Sequence, residues 1–237
     1  MGAAVPQTQP AGGGAMGALL DLFRVLYEPG AVFERVREKS PWVMGFLGLS
    51  AIQIIFGIIN LPFLKLAIQA QAVAAARPAG GPDPWQFAVV GLVFIPIVLA
   101  IIFVISAGLL WILVSLTGGE GKFTSLLGVS LYASVPSVIL LSLVGIIVLR
   151  MQGGAGLTSP QDLQPAVGLD LLAPGMKGFL GAILKGINPF SIWGVVLTAI
   201  GVSTTHRMSA QAGYVVAIGS FVIGLLVAGG AGAIFNR

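Results

Sequence analysis

Five stretches of this chain, residues 42–64, 86–116, 126–149, 187–204 and 211–235, contain no Asp, Glu, Lys, Arg or His; all 20 charged residues lie outside them. A helix crossing a hydrocarbon core of about 30 Å needs about 20 consecutive apolar residues. Four of the stretches fit one crossing each. The second, 86–116, is longer than a straight crossing requires at about 1.5 Å per residue. Pro96 inside it predicts a kink, with the part before it tilted or interfacial. Charges confined to the gaps between such stretches leave one fold class: an all-α polytopic membrane bundle of five transmembrane helices.

Composition excludes the alternatives. Charged residues make up 8% of the chain, against about 25% in a soluble domain. Twenty charges on 24.3 kDa cannot cover a water-soluble surface, so the bilayer itself is the first partner. The net charge of +4 and pI near 9.8 are read as a positive-inside bias, not as a nucleic-acid footprint. The absence of cysteine removes disulfides, thiolate catalysis and Cys-ligated metals. His206, the only histidine, cannot make a two-His metal site and is read as a solvated interfacial residue. Nucleotide-binding, zinc-protease and serine-hydrolase signatures are missing. No ionisable residue sits inside a span, where proton-coupled transporters and intramembrane proteases keep theirs. The expectation is a protein that is not an enzyme and carries no cofactor or metal.

Residues 1–15, rich in Gly, Ala, Pro and Gln, lack a basic region followed by an apolar one and read as a flexible tail. Residues 16–41 read as two amphipathic interfacial helices before the first span. Met16, Leu19, Leu20, Phe23, Leu26 and Tyr27 line one face of the first helix. Pro29 breaks the chain and starts the second, whose apolar face is Val32, Phe33 and Val36. Glu34 stands at ion-pairing distance along the helix from Arg37, and Arg35 from Glu38. Arg35, Arg37 and Lys39 crowd the membrane entry and are read as the residues that fix topology. They place the N-terminus in the cytoplasm, loops 117–125 and 205–210 on the same side, and loops 65–85 and 150–186 with the C-terminus outside.

Within the membrane domain, 42–235, three further features stand out. Asn60-Leu61-Pro62 reads as the end of the first span and Asn188-Pro189 as the start of the fourth, with Trp193 near the interface. Pro136, surrounded by Ser130, Tyr132, Ser134 and Ser137, reads as a kink whose freed carbonyl takes a Ser hydroxyl, or as a polar hinge. Residues 174–187 carry Met176, Phe179, Leu180, Ile183, Leu184 and Ile187 at helical spacing and predict an interfacial helix before the fourth span. Ser220, Gly224, Ala228 and Gly232 form a small-residue row in the last span, suited to close helix packing inside the chain or between copies.

Three stretches, "LYEPGAVFERV" (26–36), "LYASVPSVILL" (131–141) and "INPFSIWGVVLTAIGVSTTHRMSAQAGYVVAI" (187–218), together resemble the Yip-domain family. The pattern matches are Tyr27, Pro29, Tyr132, Pro136 and Trp193. The resemblance implies five spans and a cytoplasmic N-terminus. Eukaryotic members act in early secretory traffic, bind Rab-type GTPases and one another, and are linked to membrane shaping. This chain has a short Ala/Gly-rich N-terminus and Glu28 where they usually carry glycine. The resemblance therefore implies a prokaryotic member in an inner or plasma membrane, and small-GTPase binding is not carried over. The expected function is a scaffold, membrane-shaping or trafficking-type protein working through a membrane-protein partner or a homo-oligomer. The competing expectation is a facilitator-type transporter, channel or lipid scramblase without ion coupling.

Overall fold

The computed structural model describes residues 15–40, 42–75 and 84–235. The tail expected over 1–15 lies, apart from Ala15, outside them. The helices are α1 (Ala15–Arg24), α2 (Pro29–Lys39), α3 (Trp42–Ala74), α4 (Pro84–Leu116), α5 (Phe123–Ala133), α6 (Leu141–Gln152), α7 (Gly178–Gly186), α8 (Pro189–His206) and α9 (Ala210–Phe235). A π turn, Pro136–Leu140, joins α5 to α6. By length and composition four helical runs are spans: α3, α4, the α5–α6 run Phe123–Gln152, and α9. The short, Ser/Thr-bearing α8 qualifies when joined to α7, across a bend of 63°. The fold is the helical bundle expected, with four candidate spans, or five when the bent α7–α8 pair is counted as one.

The centre of the bundle is α5, where every residue from Ser125 to Ala133 is buried. Helices α2, α3, α4 and α8 surround it. On α4 the buried positions are Phe103, Ala107, Leu110 and Val114, the 3.6-residue spacing of one inward stripe. Its other faces are exposed Val, Ile and Phe, which in lipid carry no penalty. Small residues set the closest approaches. A Cβ on Gly201 of α8 would stand 2.8 Å from Val129 and 3.0 Å from the Phe33 ring, and one on Gly128 of α5 would stand 2.7 Å from Val36.

The first long helix does not end at Asn60-Leu61-Pro62. Helix α3 runs through Pro62 to Ala74. Pro62 has no N–H to give Ile58, and its ring crowds the preceding turn. Arg150, at the end of α6, reaches that turn, donating to the Ile59 carbonyl oxygen at 3.3 Å and standing over the Phe63 ring at 5.4 Å. A cation from another helix thus bonds the backbone beside the proline. The α4 helix likewise continues through Pro96. The start of α8 is where the sequence put it: the Asn188 side chain accepts from the Phe190 and Ser191 amides at 3.0 Å, and Pro189 holds the first turn.

Replacing Gly201 with Leu is expected to overpack the α2–α5–α8 contact, at a cost on the order of 1–3 kcal/mol. Thermal unfolding in detergent measures the loss. A cysteine introduced at Val36, in a chain that has none, gains thiol reactivity if α2 is displaced.

Candidate functional site

The N-terminal hairpin is built into the bundle. Val25, Val32, Phe33 and Val36 are fully buried. The α2 face is the one the sequence predicts; the α1 face is not. The side of α1 that packs inward is Gly17, Ala18, Asp21 and Leu22, with Val25 just beyond. Met16, Leu20, Phe23 and Tyr27 point outward, with Tyr27 67% exposed. Both faces of α1 are apolar, and polar contacts choose between them. The Tyr132 hydroxyl, in the space that Gly45 leaves, donates to the Ala18 carbonyl at 3.3 Å.

Asp21, 2% exposed, is the charge at the centre of this joint. Arg35 of α2 grips it with two hydrogen bonds, Nε to Oδ2 at 3.0 Å and Nη2 to Oδ1 at 2.6 Å. Arg24 adds a longer contact at 3.7 Å. The hydrogen bond to Asp21 raises the Arg35 pKa, against the burial that opposes it. The expected Glu34–Arg37 and Arg35–Glu38 pairs do not form; the ion pairs among the described residues are those to Asp21. A two-point geometry to a buried carboxylate outcompetes a solvated pair along one helix. Of the three topology residues, Arg35 closes the hairpin, and Arg37 donates to the Thr204 carbonyl at 3.4 Å, at the end of α8. Lys39 is exposed.

The same end of the bundle holds an open basin of about 530 Å³ lined by Arg37, Glu38, Glu120, Thr205, His206 and Arg207. The structure thereby brings α2, the 117–122 loop and the α8–α9 turn to one side, the grouping expected from the sequence. His206 is half-buried rather than solvated. Its Nε2 accepts from the Lys122 amide at 3.1 Å, and its Nδ1 lies 2.7 Å from Thr205 Oγ1, which donates to the Gly201 carbonyl at 2.6 Å. That set of partners requires a neutral imidazole with its proton on Nδ1. Burial pushes its pKa below the usual histidine range.

The pattern residues do not converge. Tyr132 and Pro136 are buried in the centre, Tyr27 is exposed, and Trp193 is partly exposed on α8. Pro29 starts α2. Pro136 opens the π turn, in which the Leu141 amide bonds back to the Pro136 carbonyl. The Ser134 hydroxyl serves the Leu131 carbonyl at 2.7 Å, and Gln53 of α3 donates to the Val138 carbonyl. The small-residue row is split: Gly232 is buried against Gly178 and Ala182 of α7, while Gly224 and Ala228 face outward and Ser220 bonds within its own helix. Asp21, Gln53 and Arg150 are among the interacting residues that the sequence did not mark out. An acid three residues from Ala18 and four from Val25 was the available signal for Asp21.

A Yip1 domain model matches residues 23–231. The chain belongs to the Yip1-domain family. It is 30% identical over 220 residues to the membrane protein YknW of Bacillus subtilis (strain 168), covering 87% of this chain and 86% of that one. No solved structure matches it. The apolar helices and this bacterial relative agree that it is a membrane protein of a prokaryotic Yip-domain type.

Arg35→Met strands the Asp21 carboxylate and is expected to destabilise the hairpin more than the double variant Asp21→Asn/Arg35→Met, with a coupling of about 1–3 kcal/mol in a thermal double-mutant cycle. His206 gives a pH dependence of definite sign. Its folded pKa is depressed, so the unfolded chain binds the extra proton; the stabilisation is whole above the unfolded value of about 6.5 and is lost as pH falls through the folded one. Acidification should loosen the 117–122 loop, read as a lower amide-exchange protection factor at Lys122 once each rate is normalised to its intrinsic value at that pH, and His206→Gln should flatten that dependence.

Proposed function

We propose that this protein is a non-enzymatic membrane scaffold whose α1–α2 hairpin acts as a fixed interfacial wedge. The observation that carries the proposal is the outward row Met16, Leu20, Phe23 and Tyr27 on a helix whose inner face is locked down. That row adjoins the exposed Met44 and Leu47 of α3, beside Gly48, against which Leu19 packs. A rigid apolar ridge at headgroup depth displaces lipid in one leaflet. Arg37 and Lys39 support a cytoplasmic N-terminus, which five spans would pair with an external C-terminus, in an inner or plasma membrane. The outward Gly224 and Ala228 give α9 a shallow face for a second copy or a membrane-protein partner. Binding of small GTPases forms no part of the proposal.

Reconstitution into vesicles tests it. The protein is expected to self-associate and to narrow or tubulate the vesicles. Leu20→Glu/Phe23→Glu should abolish the shape change at an unaltered unfolding midpoint. Recovery as a lone monomer that leaves vesicle shape untouched would refute the proposal. Neutralising Arg37 and Lys39 should loosen or invert topology in a reporter fusion while Arg35 keeps the hairpin closed. The second reading, a facilitator or scramblase without ion coupling, is favoured by the uncharged cavity beside the π turn, and liposome flux or lipid-scrambling separates the two.

A further inference from the structure

A cavity of about 250 Å³ lies between α3, α4 and the π turn of the third span. Its polar lining is Gln53, Asn60, Ser137, Ser142 and Gln164. Phe56, Leu92 and Ile95 contribute apolar walls. No charged side chain lines it, so an ion would enter without a counter-charge. The Gln53 amide is already engaged with Val138. Asn60 Oδ1 is sealed from solvent and bonded to nothing, an acceptor in want of a donor. Pro96, next to Ile95, removes the amide that the Leu92 carbonyl would otherwise use. The π turn adds a local departure from α-helical pairing of the kind that recurs at functional sites.

The mouth of this cavity is constructed. Leu163, Gln164 and Pro165 close one end, and Gly145 of α6 leaves room for Pro165, which would stand 3.1 Å from a Cβ there. Four hydrogen bonds from Thr158 and Ser159 to Asp162 Oδ2 hold the loop in shape. Lys185 of α7 donates to the Gln161 carbonyl at 3.1 Å and ties the loop down. On α4, Val93 and Phe94 beside Leu92 face outward, where the bilayer lies.

We propose that this cavity binds the uncharged, hydroxyl-bearing headgroup of a lipid, with the hydroxyl donating to Asn60 Oδ1. The apolar walls and the lipid-facing side of α4 favour an amphiphile over a free polyol. This holds independently of the scaffold reading.

Thermal unfolding of the full chain in detergent tests it with three probes: dioctanoylglycerol, glycerol, and dioctanoyl-phosphatidylglycerol. Dioctanoylglycerol is expected to raise the midpoint in a saturable way; glycerol at equal concentration and the anionic lipid are expected not to. Asn60→Leu removes the unpaired acceptor, so it should unfold no earlier than the parent chain without ligand and bind dioctanoylglycerol about tenfold more weakly. Gln164→Ala, on the loop, is a second variant whose folding does not depend on a span, and it should also weaken binding. An absent shift with dioctanoylglycerol overturns the proposal, as does unchanged affinity in both variants. An equal shift with glycerol overturns the lipid source, and one confined to the anionic lipid overturns the neutral headgroup.

Discussion

Backbone amides and carbonyls have no water to turn to in hydrocarbon, and this single constraint orders the rest of the molecule. Three prolines, Pro62, Pro96 and Pro136, each remove a donor from inside a long helix. Side chains from neighbouring helices bond the backbone beside two of them: Arg150 donates to the Ile59 carbonyl in the turn before Pro62, and Gln53 donates to the Val138 carbonyl in the π turn that Pro136 opens. These bonds tie α3 to the α5–α6 run at both ends of one contact. Gln53 and Arg150 act as cross-links between helices, while Ser134, Thr198, Thr205 and Ser220 bond carbonyls of their own helices.

The hairpin follows a different logic. Its inner face is large apolar side chains against glycine, Phe33 on Gly201 and Val36 on Gly128. Hydrophobic packing of this kind sets depth but leaves sliding and rotation open. Asp21 and Arg35 remove that freedom, because a two-point bond between helices 14 residues apart in sequence admits one register. With the inner face fixed, the outer row of α1 is fixed in turn, and an ordinary amphipathic segment becomes a rigid one.

How much of this was legible depends on whether its cause was local. The apolar helical bundle and the start of α8 were, because bilayer thickness and N-cap chemistry act within a few residues of the signal. The Val32, Phe33 and Val36 face was as well. The end of the first long helix was not: Asn60-Leu61-Pro62 has the form of a boundary, yet α3 runs on to Ala74, and the arginine that bonds the turn before Pro62 lies in another helix. The same misreading concealed the cavity, since Asn60 looked like a terminus while Gln53, seven residues earlier on the same face, went unremarked. Periodicity alone could not pick between two apolar faces of α1; that decision rests with Asp21, whose partner is on the next helix.

The small-residue row of α9 shows why spacing and facing differ. Steps of four residues overshoot a helical turn by about 40° each, so a row of four rotates by about 120° from first to last. Ser220, Gly224 and Ala228 therefore leave the face on which Gly232 meets α7. The contact that forms uses Leu225, Gly229 and Gly232, a spacing that stays on one side: Leu225 against Gly186, Gly229 against Phe179, Gly232 against Gly178. Packing α7 thus consumes one end of the row and leaves the middle exposed to lipid. A face that is small, apolar and unoccupied costs nothing in a bilayer, so its exposure alone favours neither a second copy nor a partner. What would favour one is a loss of association on enlarging Gly224 that enlarging Gly230, which also has open space around it, does not reproduce.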